Sequence, residues 1–328
     1  MKLADRFKKV IDNIKTKFSK NPKKVKEPKY KIGLALGGGG TRGMAHLGAI
    51  KAFEENGIEF DYIAGTSVGS LVGALYANGM KSERMIEIAK ELKTNDIKTS
   101  KIPFVPNKTD KLEDLIKQYV GDITFADLQK PFCAVAVDMV SAKEVDIESG
   151  SVVKAVAGSC AVPAIFNAVE FENLTLMDGG ILNTIPAKIL RNKGCKYVVA
   201  VDVNPSRGSG TKSKKLIDLL AATIRIMMTD NANKGKEYAD IVIEPNTKRF
   251  KSTKTEGGVE MIEEGYLATM EKMDEIKKLL KIKPEKIQFK DRWQNLKNRT
   301  KKIFTKNKTK TVAIEEEPNM EQDDIIEE

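Results

Sequence analysis

The pentapeptide Gly65-Thr66-Ser67-Val68-Gly69 stands between a strand-like apolar run, Phe60 to Ala64, and a helix-like run, Leu71 to Ala77. A strand that turns sharply into a helix leaves the turn residue prominent, and a serine at that turn is presented as a nucleophile. Gly65 and Gly69 suit the elbow, because glycine tolerates unusual dihedrals and a bare neighbour lets a substrate approach the hydroxyl. The chain contains a single histidine, His46, among its 328 residues. A Ser/His/Asp arrangement must use that residue or does not exist.

The pattern around the elbow fixes the expected fold class. Lys31 to Leu36 reads as a first core strand, followed by a glycine loop (37 to 43), a helix to Glu55, a strand from Ile58 to Ala64, the serine turn and a helix to Ala77. This βαβα order predicts an α/β fold: a mainly parallel central sheet with helices on both faces, in three layers. Helices are expected at Glu83–Leu92 and Lys111–Tyr119. The apolar run Phe132–Met139 suits a strand buried on both faces, with Glu144–Glu148 as its hairpin partner. A small-residue helix at Ser151–Cys160 and a hairpin (Ala168–Phe171, Leu174–Met177) lead to Asp178-Gly179-Gly180. After these come a helix beyond Thr184, strands at Tyr197–Val203 and Ile241–Glu244, and helices at 216–235 and Gly258–Leu280.

Charge separates the ends from the middle. The net charge is +10, with lysine concentrated in residues 1 to 31 and again in 281 to 310, whereas 315 to 328 are acidic. Three regions are therefore expected: a basic amphipathic helix and linker at 1–28, a globular domain at 29–283, and a flexible extension at 284–328. Leu3, Phe7, Val10, Ile11, Ile14 and Phe18 form one face of the first helix. That face either anchors the chain on a membrane surface or packs on the domain. No run approaches the roughly 18 apolar residues needed to span a bilayer, so the protein is expected to be cytoplasmic, soluble or peripheral on the inner membrane face. The three cysteines, Cys133, Cys160 and Cys195, lie in or beside apolar runs with no Cys-x-x-Cys pair. They read as buried thiols, and neither a metal nor a cofactor is expected.

Gly37 to Gly43 lies between a strand and a helix, so its amides can converge on an anion. Gly38-x-Gly40-x-x-Gly43 formally satisfies a dinucleotide fingerprint. That fingerprint needs an acidic residue at the end of the second strand. Here Asp61 falls inside the strand, and the serine turn occupies its end. A glycine loop one strand before a serine elbow favours an oxyanion hole formed by Gly38, Gly39, Gly40, Thr41, Arg42 and Gly43. Arg42 is expected to brace this loop through a carboxylate, the alternative being to attract an anionic head group. Asp178 could be a turn aspartate bonding its own backbone. With a nucleophile in hand and no spare histidine, it reads better as the base for Ser67, supported by Gly179 and Gly180. His46 shares a helix face with Ala49, Ile50 and Phe53, which points to a structural role behind the site.

Residues 30 to 283 resemble the patatin-like phospholipase family. The likeness rests on Gly38-Gly39-Gly40-Thr41-Arg42-Gly43, on Gly65-Thr66-Ser67-Val68-Gly69 and on Asp178-Gly179-Gly180. Ser159 to Phe166 and Asn183-Thr184-Ile185-Pro186 agree as well. The resemblance implies a Ser/Asp dyad of Ser67 and Asp178 with the loop amides as the oxyanion hole, acting on acyl esters of phospholipids, lysophospholipids or neutral lipids without a metal. Expected partners are a lipid substrate and an anionic membrane surface, and no nucleic acid. The rival is a catalytically silent lipid-binding or regulatory protein on the same fold. For the basic end, deleting residues 1 to 28 is expected to weaken binding to anionic vesicles in a salt-sensitive way. Unchanged vesicle binding would leave only the packed-helix reading.

Overall fold

A computed structural model describes residues 28–91, 108–205, 212–213, 215–251 and 255–282. The expected amphipathic helix at 3–18 and the extension at 284–328 lie outside the described residues. By its contacts the chain divides into one unit, Met1–Thr269, and a second, Met270–Glu328, of which 270–282 are described.

In the first unit the order is β1 (Tyr30–Leu36), a 3-10 turn (Gly40–Gly43), α1 (Met44–Glu55), β2 (Tyr62–Thr66), α2 (Val68–Ala77), α3 (Ser82–Glu91) and α4 (Asp110–Val120). β3 (Phe132–Asp138), β4 (Lys143–Ile147), α5 (Val152–Ser159), β5 (Val169–Phe171) and β6 (Leu174–Asp178) follow. A 3-10 turn (Gly179–Ile181), α6 (Ala187–Asn192), β7 (Cys195–Val201), α7 (Leu216–Lys236), β8 (Ile241–Ile243) and α8 (Gly258–Leu279) complete the set. The last ten residues of α8 belong to the second unit, where they end in a left-handed Lys281.

The described strands form one mixed sheet in the order β5-β6-β3-β2-β1-β7-β8, with β4 also paired to β3. The strands β3, β2, β1, β7 and β8 are parallel, and β4, β5 and β6 run antiparallel to their neighbours. From β1 to β3 the chain steps across the sheet in one direction, and from β6 to β7 it steps back. Right-handed crossovers between parallel strands therefore put α1 and α2 on one face. α6 follows the antiparallel β6 and lies on the other. The core agrees. Ala35, Ala64, Val135 and Ala200 of the strands pack with Ile185, Ile189 and Leu190 around α6, as a strand residue and its second neighbour must to share a face. Both faces are covered, which is why Phe132–Asp138 is buried throughout.

Two expectations shift. The second strand was expected at Ile58–Ala64, and its ladder runs instead from Tyr62 to Thr66. The cause is Asp61, whose carboxylate accepts the Lys31 and Ile32 amides at 2.8 and 2.9 Å and so caps the start of β1. Asp61 sits at the amino end of the strands, remote from the glycine loop, and cannot read a ribose there. Ile58 and Phe60 remain buried, but as core filling ahead of the strand. Phe60 meets Phe53 of α1 edge-to-face, with ring centroids 4.8 Å apart. Both rings are wholly buried. Phe53→Ala is expected to lower unfolding free energy by about 3–5 kcal/mol in denaturant titration. A loss under about 1 kcal/mol would contradict this packing.

Candidate active site

The position of the site follows from how β3 shares its edges. β4 pairs with Ala134 to Asp138 along one edge, so the other strands paired to those residues lie on the opposite edge. On that edge β2 covers Phe132 to Val135, with Thr66 opposite Val135. β6 then takes over from the other direction, with Asp178 opposite Ala136. The ends of β2 and β6 therefore abut on one edge of β3, and Ser67 and Asp178 are the residues at the junction.

Ser67 caps α2 with φ 54° and ψ −130°, a left-handed conformation costly for a residue with a side chain. The strain falls on the serine itself. Gly65 and Gly69, expected to supply unusual dihedrals, have negative φ and serve close approach instead. A Cβ at Gly65 would overlap the Gly69 carbonyl, and one at Gly69 would overlap the Leu36 carbonyl. The elbow is held from below by Ser159, whose Oγ accepts the Ser67 N–H at 2.9 Å and donates to Val135 O at 2.6 Å. Ser70 Oγ donates to Ser67 O at 2.7 Å. The N-terminus of α2, with its partial positive charge, thus points at the Ser67 hydroxyl.

Asp178 is 3% exposed and Ser67 6%. The Gly180 N–H donates to Asp178 Oδ1 at 2.7 Å. Oδ2 is buried without a partner in hydrogen-bond geometry among the described residues. The nearby Ser67 hydroxyl favours the charged carboxylate. Burial pushes the Asp178 carboxyl up to about 6, with the Ser67 hydroxyl and the Gly180 amide opposing. It is ionised at neutral pH, yet its affinity for a proton is far above that of an ordinary aspartate.

The glycine loop lies beside this pair, at the point between β1 and β7 where the crossovers reverse, the usual crevice of an open α/β sheet. A Cβ on Gly38 would stand 3.4 Å from Ser67 Cβ. Gly38 nevertheless leaves the expected donor set, because its N–H is committed to Thr184 O at 3.1 Å. Gly40, with φ 58°, opens the 3-10 turn that runs through Thr41 and Arg42 to Gly43. Gly43 lies against Val68, the residue after the serine. Arg42 does brace the loop. Its Nε and Nη2 donate to Phe250 O at 2.9 and 2.6 Å, and Nη1 reaches Asn204 Oδ1. Thr41 Oγ1 donates to Lys251 O at 3.0 Å.

His46 is buried, and its Nε2 donates to Gly37 O at 2.8 Å. Burial lowers its pKa to about 4, against the opposing pull of the Gly37 carbonyl. A neutral imidazole thus stands behind the loop, bonded to its backbone and not to Ser67. Sequence reasoning overlooked several neighbours. Thr66 Oγ1 donates to Asn183 O at 2.9 Å, so that segment 183–184 ties the elbow and Gly38 together. The Met228 methyl of α7 packs over Gly180 and beside Gly38. The Cys160 thiol is buried, as expected, and its Sγ lies 3.9 Å from Ser70 Oγ. The hydroxyls follow from their places in the quoted motifs, whereas no local pattern marks Met228. Among the described residues no cluster of His, Cys, Asp or Glu could hold a metal ion.

The structure thus brings together a strained serine at a strand–helix elbow, a buried carboxylate at its side and a glycine loop across from it. Residues 34–191, just under half of the chain, match the model of the patatin-like phospholipase family. An uncharacterised NTE family protein of Mycobacterium tuberculosis is 33% identical over 180 residues, which span 54% of this chain and 50% of that protein. Patatin-like phospholipase domain-containing protein 6 of Mus musculus is 33% identical over 183 residues, 52% of this chain and 13% of that protein. The chain thus matches half or less of the length of these relatives. Among solved structures, VipD from Legionella pneumophila aligns with 76% of this chain and 67% of its own, with a TM-score of 0.46 and 17% identity. Human GIVD cytosolic phospholipase A2 aligns with 76% and 58%, with a TM-score of 0.43 and 12% identity.

The raised Asp178 carboxyl has a testable consequence for stability. A carboxyl whose folded pKa exceeds its unfolded value contributes stability when protonated, and that contribution is lost as pH rises through the folded value. The window runs from the ordinary 3.8 to about 6. At about pH 8, Asp178→Asn is therefore expected to melt above the wild type, with the gap closing as pH falls through that window. A variant that melts lower at about pH 8 would show that the carboxylate holds the fold together.

Proposed function

We propose that the chain hydrolyses acyl esters of lipids, with Ser67 as nucleophile and Asp178 as its base. The observation that carries this reading is the abutment of β2 and β6 on one edge of β3, which brings these two side chains together while His46 bonds the loop behind them. Asp178 Oδ2 takes the Ser67 proton as Oγ attacks the ester carbonyl. The first N–H groups of a helical turn have no partner within it, so the amides of Gly39 and Gly40 supply the oxyanion donors, aided by the positive end of α2. Asp178 returns the proton to the departing alcohol and leaves an acyl group on Ser67. It then takes a proton from water as that water attacks the acyl group, and gives the proton to Ser67 Oγ as the acid is released.

The lipid substrate is supported by the family and by the apolar cover that Met228 places over the site. Residues 29–283 are assigned to the hydrolase domain, with the two charged ends outside it. No described helix is long and apolar enough to cross a membrane, which fits work at a membrane surface in the cytoplasm.

Ser67→Ala and Asp178→Asn are each expected to lower kcat/KM on short acyl esters by about a hundredfold or more. His46→Gln, if folded, keeps most of the activity. The acid limb of kcat/KM should have its midpoint at about 6, since the base must be ionised. A His46→Gln protein as inactive as Ser67→Ala, with unchanged melting, would refute the dyad. Absence of any Ser67-dependent turnover across a screen of lipid classes would instead favour a silent lipid binder.

A further inference from the structure

The helix that seats Met228 over the site has an unusual outer face. On α7 the exposed residues Leu219, Leu220, Thr223, Ile226, Met227 and Asp230 recur at intervals of one, three and four. At about 100° per residue they fall within one arc of about 120°. Four of the six are large and apolar, with exposures of 44% for Leu219, 45% for Leu220, 58% for Ile226 and 40% for Met227. A surface helix of a globular protein ordinarily turns such a stripe inward. Here the inward side is a second apolar face, with Ala222 and Ala232 buried. That side also carries Met228, against Gly180 and beside Gly38. Both faces of one helix are thus apolar, and one of them faces solvent.

The surroundings select an occupant. Lys212 and Lys215 are exposed at the entrance to the helix. The acidic residue within the stripe, Asp230, is paired with Lys234 at 2.6 Å. Leu182, which leaves the turn Gly179–Ile181, is 39% exposed. That turn is tied to α7 through Asn231 Nδ2, which donates to Ile181 O. An apolar stripe headed by cations matches the boundary of an anionic bilayer, where acyl chains take the stripe and phosphates take the cations. Two copies of the same face would bring like charges together.

We propose that the outer face of α7, formed by Leu219, Leu220, Ile226 and Met227 and headed by Lys212 and Lys215, docks on an anionic lipid surface. The inference rests on the lipid-hydrolase reading and adds to it the face through which substrate arrives. Docked in this way, α7 has headgroups on its outside and Ser67 and Asp178 beneath Met228 on its inside. A lipid then travels only the thickness of one helix to reach the nucleophile.

The test uses the full chain and vesicles made of equal parts phosphatidylcholine and phosphatidylglycerol. Wild type, Ile226→Ser/Met227→Ser, Lys212→Gln/Lys215→Gln and Ser67→Ala are compared by co-sedimentation with the vesicles, by hydrolysis of a soluble short-chain ester and by melting temperature. The Ile226→Ser/Met227→Ser variant is expected to lose vesicle binding by about tenfold or more, with the soluble esterase rate and melting unchanged. Lys212→Gln/Lys215→Gln is expected to lose less and to reduce the sensitivity of binding to salt. Binding equal to wild type in the Ile226→Ser/Met227→Ser variant would overturn the proposal. So would a wild-type dimer, seen by sedimentation velocity, that this variant dissolves. Binding does not depend on turnover, so the two readings fail separately. Loss of binding without Ser67-dependent hydrolysis in any variant sinks the hydrolase reading alone. Hydrolysis with unaltered binding sinks the docking face alone.

Discussion

The architecture of the site depends on one edge of β3. A strand offers each edge to one partner at a time, and here the same edge serves β2 for its first residues and β6 for its last. Because β2 arrives parallel and β6 antiparallel, the two chains run toward each other and stop at adjacent rungs, Val135 and Ala136. Whatever follows β2 must meet whatever ends β6. The chain puts a serine in the first place and an aspartate in the second, and each must leave the sheet sharply. The strained φ of Ser67 is the cost of that exit from β2, and Gly179, which a Cβ would drive into the Val135 carbonyl, is the exit from β6.

Such a junction is stable only if its polar groups are satisfied. Ser159 bonds both the elbow and β3, Thr66 bonds Asn183, and Gly38 bonds Thr184. These short links hold the elbow, the aspartate turn and the glycine loop as one unit, each offsetting part of the conformational cost of the elbow. One exception is informative. Asp178 Oδ2 is buried beside Ser67 and bears the desolvation that raises its proton affinity. A carboxyl tuned toward neutrality in this way can both take and return a proton near physiological pH, the task histidine performs elsewhere. His46, its own pKa driven down to about 4 by burial, is left to hold Gly37.

Much of this was legible in the sequence, for reasons that differ by element. The parallel core announced itself because strands covered on both faces must be apolar throughout, as in Phe132–Asp138. The serine and aspartate were legible from the glycines around them, although the reason for those glycines was not: they admit neighbouring backbone, and the strain sits on Ser67. Ile58 and Phe60 were read into β2 because a buried loop and a buried strand share an apolar pattern, and only the Asp61 bonds to β1 separate them. The loss of Gly38 from the donor set and the seat of Met228 depend on partners 146 and 190 residues away, by the difference of the residue numbers, and no local spacing carries such contacts.

The central claim is that a buried aspartate, and no histidine, activates Ser67. Its most direct test is the rate at which a fluorophosphonate ester labels the protein across pH, followed by intact mass with the label mapped to its residue. Labelling should fall on Ser67, rise with pH through a single midpoint at about 6, persist with the same midpoint in His46→Gln and vanish in Asp178→Asn. A rate that ignores the Asp178 substitution, or that disappears with His46 in a protein of unchanged melting, would contradict the account.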